Sequence, residues 1–202
     1  MADKLARAKL ARAAMRFAGP FRRALPPLIL MTDDERLADP LAAARALPRG
    51  SMMILRTRHA SHRVELAGKL RAIAKSRDLQ FLIAGDPELA ARIGADGIHL
   101  AERDARQAAH WRARHANWIV TTSAHSLRAL IAARHADAVI VAPVFSTASH
   151  PGGKTLGAMR LRFIAQQSPV PVYALGGIDA RTVQNLHGAK LAGVAAIGAL
   201  AV

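Results

Sequence analysis

Two consecutive glycines, Gly176 and Gly177, follow the apolar run Val170–Leu175 and precede Ile178–Arg181, a segment typical of a helix start. Glycine lets backbone N–H groups approach a ligand closely, and the N-terminus of a helix favours negative charge. This spacing therefore predicts a binding site for a phosphate group. The alternative interpretation is that the glycine pair only forms a tight turn between a strand and a helix.

Arginines alternate at the end of another apolar run, at Arg56 and Arg58. A guanidinium group can bind two phosphate oxygens at once, so this pair is suited to a phosphorylated ligand. Both side chains can face one site only where the strand ends. The alternative is that they form ordinary surface ion pairs.

Two aspartates, Asp86 and Asp104, follow the ends of two successive predicted strands. Proteins commonly bind Mg²⁺ through one or two carboxylates together with the phosphate oxygens of a substrate. The two residues are therefore candidate magnesium ligands. Because both precede predicted helices, either could instead cap a helix N-terminus.

His125 follows a further predicted strand, and an imidazole there is a candidate general acid or base near neutral pH. It could also cap or pack against the start of the next helix. The polar, glycine-containing loop Ser146–Gly153 follows the sixth predicted strand. Such a loop is suited to close over a charged ligand.

Short apolar runs alternate with helical segments from Leu25 to the end of the chain. Strict alternation with short connections predicts a parallel sheet with right-handed crossovers, and eight repeats predict a closed (β/α)₈ barrel, the TIM barrel. A doubly wound open sheet is the alternative. The predicted strands are Pro26–Asp33, Ser51–Arg58, Leu79–Asp86, Asp96–Asp104, Asn117–His125, Asp137–Phe145, Val170–Leu175 and Ala192–Leu200.

Residues 1–24 form a basic extension to the barrel domain, residues 25–202. The extension is predicted to be helical up to Phe17, with Ala6, Leu10, Ala13 and Phe17 on one face. The last predicted strand leaves no room for a full eighth helix, so we expect the N-terminal helix to cover the groove between the first and last strands. A transit peptide or a membrane-surface helix is the alternative.

The composition limits the classes of partner. The 202 residues carry a net charge of +15, no cysteine and only 4% aromatic side chains. Few aromatic residues leave few surfaces for base stacking, so phosphorylated ligands explain the charge better than specific nucleic-acid binding. The sequence contains no apolar run of membrane-spanning length, and we expect a cytoplasmic protein. It leaves open whether the protein is a monomer or a homodimer.

Four segments in this order and spacing resemble the thiamine-phosphate synthase/TenI (thiazole tautomerase) family. They are Gly94–Leu100, Thr121–Ser126, Ala142–His150 and Ala174–Asp179. The resemblance implies a reaction in which an aminopyrimidine diphosphate is joined to a thiazole phosphate, with Mg²⁺ present and diphosphate released through a pyrimidine cation.

The resemblance also implies roles for individual residues. Asp86 and Asp104 would hold Mg²⁺, and Ser123 would lie beside the reacting groups. The diphosphate would be bound by Arg56, Arg58, Thr147, Ser149 and His150. The thiazole phosphate would be bound by Gly176, Gly177, Ile197 and Gly198. We therefore expect Arg56, Asp86, His125 and Gly177 to share one cavity.

Several positions depart from the family pattern. Ile54 and Gly85 stand where the family has glutamine and asparagine, Arg58 and His150 replace lysines, and Gly198 replaces a serine. The tautomerase branch needs only a thiazole phosphate site and a proton shuttle, for which His125 holds the matching position. A thiazole tautomerase and a non-catalytic barrel that binds thiazole phosphate therefore remain as alternatives to a synthase-type transferase.

Overall fold

A computed structural model describes residues 2–17, 24–57, 60–147 and 152–202. The eight predicted strands form a closed parallel barrel in chain order, which confirms the TIM-barrel prediction. Each strand is shorter than its predicted run, because the residues at the ends of the runs belong to the loops. The strands are β1 (Leu28–Met31), β2 (Met52–Leu55), β3 (Gln80–Ala84), β4 (Gly97–Leu100), β5 (Ile119–Ala124), β6 (Ala138–Val141), β7 (Val172–Ala174) and β8 (Gly193–Ala196).

Helices follow most strands and surround the barrel. The α-helices are α1 (Ala2–Ala14), α2 (Pro40–Ala46), α3 (Ala60–Arg77), α4 (Pro87–Arg92), α5 (Ala108–Arg114), α6 (Leu127–Ala132) and α7 (Gly157–Gln167). Short 3₁₀ helices span Met15–Phe17, Glu102–Gln107, Thr182–Leu186 and Gly198–Leu200. Among the described residues, no helix is both long enough and apolar enough to cross a membrane.

The strands are buried because both of their faces are covered, one by the barrel interior and one by the helices. Every residue of β1, β2, β6 and β8 is buried. β1 closes the barrel, since Ile29 is in register with Met52 of β2 on one side and with Ala195 of β8 on the other. The carboxyl ends of all eight strands therefore meet at one rim.

The N-terminal helix α1 packs near the carboxyl end of the chain. Leu10, Ala14 and Phe17 are buried in the core, and Nη1 of Arg7 donates to the carbonyl oxygen of Ala201 at 2.6 Å. Ala6, which was predicted to lie on the buried face, is exposed. Among the described side chains of α1, Leu10 is the first that is buried, so the predicted apolar face does not extend to Ala6. Residues 18–23, where the extension was predicted to end, lie outside the described part of the chain.

After β8 the structure shows a single 3₁₀ turn, Gly198–Leu200, at the position of the eighth helix, which was predicted to be truncated. The helix predicted after Gly176-Gly177 was wrong in type, since Thr182–Leu186 is a 3₁₀ helix of five residues. The carboxylate of Asp179 accepts hydrogen bonds from the N–H groups of Arg181 and Thr182, both at 2.8 Å. These contacts turn the chain tightly and leave no α-helical N-terminus at the glycine pair.

Candidate functional site

A cavity of about 1,070 Å³ lies at the carboxyl ends of the strands. The loops after β1, β2, β5, β6, β7 and β8 contribute to its wall, whereas no described residue of the loops after β3 and β4 does. It therefore opens at the rim where a TIM barrel binds its ligands. The lining includes Arg36, Arg56, His125, Thr147, Gly176, Gly177, Ile178, Ile197, Gly198 and Ala199.

Arg56 belongs to an ion cluster that joins the ends of β1 and β2. The carboxylate of Asp33 accepts from a guanidinium nitrogen of Arg56 and from Nε and Nη2 of Arg36, the latter two at 3.0 and 2.7 Å. The backbone N–H of Arg56 donates to Oγ1 of Thr32 at 2.8 Å. The cluster carries two positive charges and one negative charge, and the carboxylates of Glu35 and Asp179 line the same cavity.

The electrostatics of this cluster follow from its contacts. The hydrogen bond from Arg36 is the main cause that holds the pKa of Asp33 far below its usual value, and it outweighs the opposing effect of burial. The same bond raises the pKa of Arg36. All three groups are therefore charged at neutral pH, and the arrangement is suited to bind an anion.

The glycine pair is required by close packing as well as by backbone conformation. Gly176 and Gly177 have φ angles of +95° and +65°. A Cβ atom on Gly176 would lie 2.8 Å from Cα of Pro143, and one on Gly177 would lie 2.5 Å from the carbonyl oxygen of Ser146. The turn after β7 is therefore held directly against the loop after β6, and both loops line the cavity.

Two backbone turns could supply N–H groups to a phosphate. The Gly176–Ile178 turn and the turn at Ile197–Ala199 both line the cavity. Within the described residues, the N–H groups of Gly177, Ile178, Gly198 and Ala199 donate to no other backbone group. Because Asp179 occupies the N–H groups of Arg181 and Thr182, the anion would be bound by the turns themselves and not by a helix dipole.

His125 lies at the rim with its ring orientation fixed. Its Nδ1 donates to the carbonyl oxygen of Ala142 at 2.7 Å, and its backbone N–H donates to Oε2 of Glu102 at 2.7 Å. A carbonyl oxygen only accepts, so the hydrogen of a neutral ring is on Nδ1 and the lone pair is on Nε2. The side chain lines the cavity and can exchange a proton there through Nε2.

Ser123, near the end of β5, forms a hydrogen bond with the buried His99. It is not among the described residues that line the cavity. Its Oγ lies 3.0 Å from Nε2 of His99, whose Nδ1 lies 2.9 Å from Oγ1 of Thr121. Burial, with a smaller contribution from Arg56, lowers the pKa of His99 to about 4. His99 is therefore neutral at physiological pH and holds two hydroxyl groups inside the barrel.

The two candidate metal ligands lie after β3 and β4, outside the described wall of the cavity. Oδ1 of Asp86 accepts the N–H of Leu89 at 2.9 Å, so Asp86 caps α4 as the alternative interpretation predicted. Asp104 lies within a 3₁₀ helix and meets Nε of its neighbour Arg103 at 3.5 Å. The described wall of the cavity therefore contains Arg56, His125 and Gly177 but not Asp86, whose Oδ1 faces the start of α4.

The remaining predicted site residues divide into two groups. Thr147 lines the cavity, whereas Arg58, Ser149 and His150 lie outside the described residues. Three of the five departures from the family pattern lie in the described part of the chain. Ile54 is fully buried in β2, Gly85 lies in the turn after β3 with a φ of +65°, and Gly198 lines the cavity.

Two residues of this region were missed by the sequence analysis, Arg36 and His99. The spacing of Asp33 and Arg36, three residues apart, is a signal for an ion pair in a turn. For His99, the signal is the two-residue period that places it, with Thr121 and Ser123 on the neighbouring strand, on one face. Neither signal alone distinguishes a binding residue from a structural one.

The comparisons with known proteins agree with one another. The family model described as thiamine monophosphate synthase matches residues 28–200. A putative thiamine-phosphate synthase 2 from Aquifex aeolicus is 31% identical over 180 residues, which cover 86% of this chain and 96% of that protein. A thiamine-phosphate synthase from a Nostoc species is 33% identical over 141 residues, 68% of this chain and 40% of that longer protein.

Among solved structures, the chain resembles a thiamine phosphate pyrophosphorylase from Pyrococcus furiosus. The TM-score is 0.68 at 24% sequence identity, and the match covers 84% of each chain. At this identity the likeness supports the barrel fold alone.

Proposed function

The chain belongs to the thiamine monophosphate synthase family, and we propose that it is a transferase which couples an aminopyrimidine diphosphate to a thiazole phosphate in thiamine biosynthesis. The observation that carries this proposal is the single cavity in which Arg56 and Thr147 lie together with the two glycine turns. One side of that cavity is cationic, and the other offers backbone N–H groups. It can therefore receive two phosphorylated ligands at once.

The proposed reaction replaces one bond with another. The bond between the pyrimidine methylene carbon and the diphosphate oxygen breaks, and diphosphate leaves with the electron pair. The thiazole nitrogen then supplies the pair for the new carbon–nitrogen bond. Charge develops on the departing diphosphate, so a fixed cation beside it lowers the barrier. Arg56 fills that role, because the carboxylate of Asp33 and the hydroxyl of Thr32 hold its side chain and backbone in place.

We propose that Asp86 and Asp104 would hold Mg²⁺, which would neutralise diphosphate charge when bound. The donors fit this ion in kind, since both are carboxylates that follow adjacent strands. Asp86 uses Oδ1 to cap α4, and among the described residues its Oδ2 has no hydrogen-bond donor. Asp104 meets Nε of the exposed Arg103 at 3.5 Å, a weak contact that a stronger ligand can displace.

A thiazole tautomerase is the second candidate, and the geometry of His125 favours it. The hydrogen bond to Ala142 fixes the tautomer of the ring, so that Nε2 can accept a proton inside the cavity. A base beside a phosphate site is sufficient to move a proton within a bound thiazole phosphate. This reaction needs neither carboxylate.

The test is to incubate the purified protein with both synthase substrates and Mg²⁺ and to follow thiamine phosphate by chromatography. The synthase proposal expects thiamine phosphate and diphosphate in equal amounts. Isomerisation of a thiazole phosphate tautomer, without thiamine phosphate, would support the tautomerase instead. Binding of the thiazole phosphate with no product from either reaction would identify a non-catalytic barrel.

A further inference from the structure

We propose that a cleft between the 3₁₀ helix Glu102–Gln107 and α6 is a second anion site, which binds a polyphosphate group, either free or as part of a nucleotide. The cleft has a volume of about 1,100 Å³. None of the described residues that line it also lines the cavity at the carboxyl ends of the strands. The site is therefore separate from the one that the proposed reaction uses.

The cleft concentrates positive charge. Four arginines line it together with one acidic residue, Glu102. The arginines come from both elements, Arg103 and Arg106 from the 3₁₀ helix and Arg128 and Arg134 from α6 and the segment that follows it. Like charges around one concave surface repel one another and attract an anion. A ligand with several negative charges would relieve this repulsion.

Three of the arginines have no partner in the chain that would neutralise them. Within the described ranges, the guanidinium groups of Arg106, Arg128 and Arg134 take part in no hydrogen bond and no ion pair, and all three side chains are exposed. By contrast, Nη1 of Arg71 binds the carboxylate of Asp96 at 2.9 Å. The donors of the cleft are therefore available to an external ligand.

Glu102 does not offset this charge through an ion pair, because its carboxylate is directed to a backbone group. Its Oε2 accepts the N–H of His125 at 2.7 Å. Arg103 meets Asp104 at 3.5 Å, a weak contact of two side chains outside the hydrogen-bonded network of the core. The wall of the cleft therefore keeps an excess of positive charge.

The two elements that carry the arginines are anchored before a ligand arrives. Ala105, beside Arg106, and Ala129, beside Arg128, are both buried, and α6 packs against the 3₁₀ helix. The backbone positions of the charged side chains are therefore fixed by the core. Only the side chains need to be ordered on binding, which limits the entropic cost.

The lining favours a polyphosphate group over other anions. A guanidinium has five N–H donors in a planar fork that matches phosphate oxygens. A chain of two or three phosphates carries three or more negative charges and can contact arginines of both elements, whereas sulfate carries two. No phenylalanine, tryptophan or tyrosine is among the described residues of the cleft, so it has no aromatic surface on which the bases of a nucleic acid could stack.

The experiment is calorimetric titration of the full chain without Mg²⁺ and without either synthase substrate. The probes are inorganic triphosphate, ATP, sulfate and a single-stranded oligonucleotide of mixed sequence. The site variants are Arg106→Ala and the double variant Arg128→Ala/Arg134→Ala. The matched control is Arg45→Ala/Arg49→Ala, which removes two charges from exposed positions in and just after α2.

We expect the parent protein to bind triphosphate and ATP within about threefold of each other and sulfate at least about tenfold more weakly. The double variant should weaken triphosphate at least about tenfold, since each arginine contributes charge-assisted hydrogen bonds. Arg106→Ala should also weaken it, and the control should change it by less than about twofold. Added salt should weaken binding in the parent, because the arginines are exposed.

Arg56→Ala separates this site from the first cavity, because the binding event that depends on Arg128 and Arg134 should persist in it. All variants should unfold cooperatively, as the parent does, since the substituted side chains of the cleft are exposed. Tighter binding of ATP than of triphosphate, with the same loss in the double variant, would uphold the site and identify a nucleotide as its source.

Four results would overturn the proposal. They are no binding of triphosphate by the parent, equal weakening in the control and in the double variant, loss of all triphosphate binding in Arg56→Ala, and binding of the oligonucleotide at least about tenfold tighter than triphosphate. Selective loss in the double variant of a protein that forms no thiamine phosphate would uphold the second site and reject the synthase proposal.

Discussion

His125 donates its Nδ1 hydrogen to the carbonyl oxygen of Ala142 at 2.7 Å, and this bond joins the end of β5 to the end of β6. It leaves Nε2 as the atom that can take or give a proton at the cavity wall. The two ring nitrogens therefore have different roles. The Nδ1–H group holds the loop after β6 through Ala142, and Nε2 can act as a base toward a bound ligand.

His125→Asn keeps an N–H donor for Ala142 and removes the base. We expect this variant to lose at least about a hundredfold in thiazole isomerisation, the usual contribution of a general base, while the unfolding midpoint stays close to that of the parent. An isomerisation assay and thermal denaturation together measure both properties. Undiminished isomerisation in His125→Asn would rule out the histidine as the proton shuttle.

The Asp86→Ala variant tests the proposed role of Asp86 in binding Mg²⁺ for the synthase reaction. If Asp86 holds Mg²⁺ for diphosphate release, its removal should abolish synthase turnover and leave isomerisation intact. Because Asp86 also caps α4, the variant should lose about 1 kcal/mol of stability. Asp86→Asn retains a capping side chain and removes the charge, so it separates the two effects. Full synthase activity in Asp86→Asn would show that the carboxylate is not needed.

The buried His99 predicts how stability depends on pH. In the unfolded chain an imidazole titrates near pH 6.5, whereas in the folded protein the pKa of His99 is about 4. Between these values the unfolded state binds a proton that the native state does not. The free energy of unfolding should therefore fall as the pH drops from 6.5 to 4, with a slope of up to about 1.4 kcal/mol per pH unit from this residue.

Urea unfolding at several pH values, compared with His99→Gln, measures this slope. The variant retains one donor and one acceptor for the two hydroxyls and should show a shallower dependence. NMR titration of the His99 ring in the parent protein is an independent check. A pKa near 6.5, or identical slopes in both proteins, would contradict the burial of a neutral ring.

The close approach of the loops after β6 and β7 predicts different costs for two glycine substitutions. Both glycines have a positive φ, +78° at Gly188 and +65° at Gly177. A Cβ atom added to Gly188 would meet no atom within 4 Å, whereas one added to Gly177 would lie 2.7 Å from Cβ of Phe145. Gly188→Ala should cost about 1–2 kcal/mol from backbone strain alone. Gly177→Ala should cost roughly 3 kcal/mol or more, because the neighbouring loop must also move. Equal unfolding energies for the two variants would contradict this packing.

The packing of α1 predicts a large effect at Leu10 and a small one at Leu5. Leu10 is fully buried, while 59% of Leu5 is exposed. Leu10→Ala should lower the free energy of unfolding by about 2–5 kcal/mol, and Leu5→Ala should change it by no more than about 0.5 kcal/mol. If Leu10→Ala is as stable as Leu5→Ala in a denaturant titration, α1 does not contribute to the barrel in solution.

The barrel could be predicted from the sequence because a strand that is buried on both faces consists of an uninterrupted run of apolar residues. The runs at Leu28–Met31 and Met52–Leu55 show this pattern, and both strands are entirely buried. The capping role of Asp86 could be foreseen only as one of two alternatives. Whether Asp86 caps a helix or binds a metal ion depends on the orientation of its side chain, and the sequence pattern does not determine that orientation.

Other features depend on contacts between distant parts of the chain. The cluster of Asp33 and Arg56 joins residues 23 apart, and the bond between His99 and Ser123 joins residues 24 apart. The segment after the glycine pair became a 3₁₀ turn because Asp179 and Thr182 bond to each other's backbone, a local competition that the helix-start pattern does not reveal.

The decisive measurement is the rate at which diphosphate and thiamine phosphate appear together from both substrates with Mg²⁺, in the parent protein, in Arg56→Ala and in Arg45→Ala. We predict equal amounts of the two products in the parent and in Arg45→Ala, and a loss of about a hundredfold or more in Arg56→Ala, which removes the cation beside the leaving group. Absence of thiamine phosphate in the parent, or full activity in Arg56→Ala, would contradict the assignment of this cavity to the synthase reaction.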